Sequence, residues 1–104
     1  MVNKVSDTEF SEIISSKDKV VVKFYADWCG NCRLFAPKFS RMSENPEYEG
    51  ITFLDVNAEQ SPQARQLAGV SNLPFFATFK DGKLLASDFT SKEEVVERLI
   101  NGMN

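Results

Sequence analysis

The chain has 104 residues, enough for one domain with a core that needs no covalent staples. Its net charge of −3, with both signs mixed along the chain, argues against nucleic acid or an anionic membrane as partner. Two cysteines and no histidine exclude a disulfide framework of the secreted kind and leave a tetrahedral sulfur–nitrogen zinc site two ligands short.

The opening MVNKV predicts a short edge strand. Ser6 and Glu9 have capping-box spacing. Phe10, Ile13 and Ile14 give the helix that follows an apolar face, with an end near Ser15 or Ser16. Lys17, Asp18 and Lys19 read as a solvated loop. Val20 to Val22, then Lys23, Phe24 and Tyr25, predict a buried strand of β-branched and aromatic residues. The strand runs into Cys29-Gly30-Asn31-Cys32. Beyond it, Cys32, Phe35, Ala36, Phe39 and Met42 fall at helical spacing, and Pro37 predicts a kink. Asn45-Pro46 is a stop signal.

Residues 51–56 read as the next buried strand. Ser61 is placed as an N-cap, Pro62 as a first-turn residue and Gly69 as the end of a short helix through Leu67. Residues 75–79 predict a strand, Asp81-Gly82 a tight hairpin turn, and Leu84 onwards the antiparallel return. Thr90 to Glu94 open a last helix with Val95, Val96, Leu99 and Ile100 facing inward. Repeated βα units followed by a hairpin and a helix predict an α/β fold, a mixed central sheet with helices on both faces, in one domain over 1–104. No basic-then-apolar leader follows Met1, and no apolar run is long enough for a bilayer. The expectation is a soluble chain of a reducing cytosol.

The chemistry concentrates where the first strand of β-branched residues meets the helix. A pair of cysteines spaced C-x-x-C suits half a zinc site, or two inert buried thiols, as well as redox work. The placement favours redox. The N–H groups of a helix's first turn lack intrahelical partners, and the helix dipole puts partial positive charge there, so a Cys29 thiolate is stabilised. Cys32, one turn on, is near enough to close a disulfide with it. Pro74, read from the residues alone, is an ordinary trans-proline at the start of a strand.

The segment FYADWCGNCR, with Pro37 five residues after Cys32, resembles the active-site segment of thioredoxins, whose usual form is WCGPC. The resemblance extends over nearly the whole chain and implies a three-layer thioredoxin-like fold. It implies a protein disulfide reductase in which Cys29 attacks and Cys32 resolves. It makes Leu73-Pro74 a cis-proline loop opposite the cysteines, Trp28 a flat docking surface for partners, and Gly30 and Asn31 the residues that shape the turn and tune its potential. Thioredoxins usually carry a buried aspartate at the place of Lys23 and often a lysine at the place of Asp55. Here the two charges are transposed, and both residues are candidates for proton handling at the dithiol. Phe75 follows Pro74 where threonine is common, and Asp88 and Phe89 offer no glycine for the third substrate loop. The implied partners are client proteins with disulfides and an NADPH-linked flavoenzyme like thioredoxin reductase. The protein would work as a monomer, with no bound cofactor and no metal. The rival reading is a redox-gated binding module that uses the Trp28 and Pro74 surface without turnover.

Overall fold

A computed structural model describes residues 1–104. Five strands form one sheet in the order β1-β3-β2-β4-β5, from β1 (Val2–Lys4), β2 (Lys19–Tyr25), β3 (Thr52–Asn57), β4 (Phe75–Lys80) and β5 (Lys83–Phe89). The first three are mutually parallel, while β4 runs antiparallel to β2 and β5 antiparallel to β4. The helices are α1 (Asp7–Ser16), α2 (Gly30–Ser43), α3 (Pro62–Ala68) and α4 (Glu93–Asn101), with a short 3-10 turn at Pro46–Tyr48.

Strand alternation divides the core into two layers. Val20, Val22, Phe24, Leu54 and Val56 pack with Phe10 and Ile14 of α1 and with Ala64 and Ala68 of α3. Val21, Phe53 and Phe76 face the other way and pack with Phe35, Phe39 and Met42 of α2 and Val96 and Ile100 of α4. The three-layer architecture is therefore as anticipated. Lys23 and Asp55 share the face of Val21 and Phe53, beneath α2.

Several local readings are corrected. Lys19 is the first residue of β2 rather than a loop residue. Pro37 lies inside α2, as anticipated. Ala36 lies on the exposed side of α2, and Val95 and Leu99 are only half-buried. Ser61 stands at the N-cap of α3 without a side-chain capping bond. The cap comes from another element, because the Asp7 carboxylate of α1 accepts the N–H groups of Gln63 at 3.1 Å and Ala64 at 2.9 Å. No local pattern could reveal that contact. The hairpin turn is as expected, with both Asp81 (φ 52°) and Gly82 (φ 83°) in the left-handed region.

Candidate active site

Strand β2 delivers the chain to the top of the sheet, and Ala26 to Trp28 turn it into α2. Cys29 is the N-cap residue of α2, and Cys32 lies in its first turn. The two form a disulfide with Cα atoms 5.3 Å apart. The Cys29 sulfur accepts the Cys32 N–H at 3.2 Å, so one of the helix's otherwise unpartnered donors points at the sulfur. Cys32 is 3% exposed and Cys29 5%. Ala26, the two cysteines, Tyr25 and Leu73 form a small apolar cluster of their own.

The loop from Val70 to Pro74 closes the other side. The Leu73–Pro74 peptide bond is cis, so the geometry follows the family resemblance and not the preference of an isolated X–Pro bond. The Pro74 carbonyl accepts the Thr90 N–H at 3.2 Å, which ties this loop to the end of β5. Trp28 is 67% exposed, and its indole N–H donates to Glu59 at 2.9 Å, fixing a large apolar surface beside the dithiol. Trp28, Leu73 and Phe89 border a groove of about 400 Å³. Phe89, at the end of β5, is the wall residue that sequence reasoning did not place. Its one signal in the sequence was the missing glycine at Asp88 and Phe89.

A Cβ on Gly30 would meet no atom within 4 Å, so the space above the turn is open there. Asn31 is exposed.

Behind Cys32 lies a cavity of about 300 Å³, between β1, β2, β3 and α2. Lys4, Lys23, Tyr25, Asp27, Cys32, Arg33 and Asp55 all line it. Strand register explains the grouping. Asp55 of β3 is opposite Lys4 of β1 on one side and opposite Lys23 of β2 on the other. Lys23 is 3% exposed, and its Nζ lies 3.4 Å from Asp55 Oδ1. The two form a long, largely buried ion pair. Burial pushes the Asp55 carboxyl above its ordinary value, and the opposing charges of Lys23 and Lys4 do not cancel that effect. The Phe39 and Tyr25 rings flank the Lys23 ammonium at 5.7 and 6.0 Å. No helix is long and apolar enough to cross a membrane.

The arrangement resembles known proteins throughout its length. The family model described as Thioredoxin matches residues 1–104. Thioredoxin-1 of Schizosaccharomyces pombe is 40% identical over 84 residues, 80% of each chain. The mitochondrial Thioredoxin-3 of Saccharomyces cerevisiae is 29% identical over 96 residues, 92% of this chain and 74% of that one. Among solved structures, the oxidised form of that yeast protein superposes with a TM-score of 0.86 at 29% identity, covering 96% of this chain and 93% of the other. The thioredoxin of Malassezia sympodialis gives 0.87 at 26% identity, over 96% and 90%.

Proposed function

Because the chain belongs to the thioredoxin family, we propose that it works as a protein disulfide reductase with Cys29 as the attacking sulfur and Cys32 as the resolving one. Thiol–disulfide oxidoreductase chemistry on client proteins that carry disulfides comes with the family. The observation that carries it is Cys29 at the N-cap of α2, bonded to Cys32 and bordered by exposed Trp28 and the cis Leu73–Pro74 loop.

A Cys29 thiolate attacks one sulfur of a client disulfide, and the other client sulfur leaves as thiolate. The resulting mixed disulfide joins Cys29 to the client. Cys32 then attacks the Cys29 sulfur, the second client sulfur leaves, and the Cys29–Cys32 bond forms. The second step is fast because its nucleophile is already in place. Trp28, Leu73 and Pro74 form the docking surface, Gly30 leaves room above the helix start for a client backbone, and Asn31 tunes the couple. An NADPH-linked flavoenzyme recharges the dithiol. The protein acts as one domain and a monomer in the cytoplasm.

The test is trapping. Cys29 alone should be alkylated by iodoacetamide at neutral pH in the reduced protein. Cys32→Ser should accumulate client adducts, and Cys29→Ser should accumulate none. Alkylation of both at one rate, or adducts with the Cys29→Ser variant, overturns the assignment. Catalysed insulin reduction by dithiothreitol excludes a binding module without turnover.

A further inference from the structure

The groove beside the dithiol carries a charge that no residue of the chain answers. Arg65, in the last turn of α3, is exposed and lines this groove. It takes no part in any ion pair of the chain. The one carboxylate in the lining is Glu59, and it already accepts the Trp28 indole N–H.

The place of Arg65 follows from how α3 ends. Gly69 (φ 70°) turns the chain out of the helix, and the Val70 N–H donates to the Arg65 carbonyl at 3.2 Å. Arg65 therefore stands where the loop from Val70 to Leu73 begins. The cysteines stand where that loop ends, because Leu73 packs on their cluster. In between, Ser71, Asn72 and Leu73 make no backbone–backbone hydrogen bonds. Their N–H and C=O groups are open to an extended chain laid along the loop. Such a chain advances about 3.3 Å per residue, so a residue no more than about three positions from the attacked cysteine comes level with Arg65. Phe89 supplies the facing wall. It is paired with Phe75 of β4 and shares that residue's face of the sheet, the α1 and α3 side. With Trp28 it leaves an apolar slot beside the dithiol.

We propose that Arg65 and Phe89 select the client: a segment with apolar residues next to the attacked cysteine and an acidic side chain within about three positions of it. The client carboxylate pairs with the Arg65 guanidinium, whose planar fork suits a bidentate contact, and the apolar client residues pack on Phe89. The selection presupposes the proposed exchange chemistry of Cys29 and Cys32. The net charge of −3 would by itself disfavour an acidic client. A preference for acid is therefore a local effect, opposite in sign to that of the whole chain.

The experiment compares symmetric peptide disulfides. Each peptide has leucine on both sides of its cysteine and either aspartate or lysine at the third position on each side. Reduced protein is mixed with one of them, quenched in acid, and the released peptide thiol is measured by chromatography. Rates are taken relative to a small uncharged disulfide, which reports each variant's own reactivity. The salt is held at about 0.1 M, where the field of distant charges is screened beyond about 10 Å. The aspartate peptide should be reduced about fivefold faster than the lysine peptide, the upper range for one ion pair at a partly open site. Arg65→Gln should bring the two within about twofold of each other, and Arg65→Glu should reverse their order. Phe89→Ala should keep the preference for aspartate and remove the advantage of leucine over serine beside the cysteine. Equal rates or a faster lysine peptide with the wild type, an aspartate preference that survives Arg65→Glu, or a leucine advantage that survives Phe89→Ala overturns the proposal. Failure of the wild type to reduce even the small uncharged disulfide would refute the exchange chemistry instead.

Discussion

Lys23→Met removes the buried ammonium from Asp55 and keeps a long apolar side chain in its place. At 3.4 Å the two charges attract by about 5 kcal/mol in a medium of effective dielectric constant near 20. The protein does not forfeit all of that, because the abandoned carboxylate can protonate. Protonating a carboxyl of ordinary acidity at pH 7 costs about 4 kcal/mol, which caps the loss. Burial already raises the Asp55 pKa above 3.8 in the native protein, so part of that cost is present before the substitution. The expected loss is about 2 to 3 kcal/mol at pH 7. The sign with pH follows from the raised value. The folded state binds the Asp55 proton more tightly than the unfolded state does. Asp55 therefore contributes most below its unfolded pKa and loses that contribution as pH rises through its folded one. Without Lys23 the folded value climbs further. By the same arithmetic, the penalty of the variant at pH 4.5 should fall below about 1 kcal/mol. Denaturant titration of the oxidised protein at the two pH values measures both figures. Asp55→Asn alone strands the buried Lys23 ammonium and should also cost about 2 to 3 kcal/mol, and combining it with Lys23→Met should recover most of either loss. A penalty that is the same at both pH values, or strictly additive effects in the double variant, refutes the reasoning.

Asn31→Pro should make the couple more reducing by about 30 mV, worth about 1.4 kcal/mol. Proline is tolerated in a first helical turn and stiffens the link that holds the two sulfurs together. Equilibration against glutathione measures the shift, and an unmoved or raised potential contradicts the argument. Asp7→Ala should destabilise the protein by about 1 to 2 kcal/mol through loss of the α3 cap. Insulin reduction should be unaffected, and Ser61→Ala should cost less. A neutral Asp7→Ala would show that the two N–H groups are satisfied by water.

Periodicity carried most of the architecture. The alternation in Val20 to Phe24 and in Phe53 to Val56 is strong because each strand is packed on both faces. The cysteines were legible because a strand, C-x-x-C and a helix follow one another directly. The pairing of Lys23 with Asp55 was legible only through a resemblance, since 31 residues of chain separate them and register decides whether they meet. Lys4 was not legible as part of that row. A three-residue edge strand has too little pattern to fix its register. Asp7 escaped for a related reason: its partners are 56 and 57 positions away. Ser61, at the position where local rules put a cap, masked it. Phe89 was missed because exposure on an edge strand depends on what the loops leave uncovered. The sequence marked only a missing glycine.

Cys29 and Cys32 are three positions apart, and a loop that small removes little freedom from the unfolded chain when it closes. Their bond therefore stabilises the protein only as far as the native turn suits a disulfide better than two thiols. Folding and oxidation are then adjacent sides of one closed cycle. The gap in unfolding free energy between the oxidised and reduced forms must equal the gap in potential between the unfolded and folded dithiol, at about 1.4 kcal/mol for each 30 mV. A pair of denaturation curves thus reads the electrochemistry of the protein. Any substitution that weakens both forms equally is electrochemically silent, however much stability it removes. One that weakens the two forms unequally shifts the couple by that difference, wherever in the fold it lies.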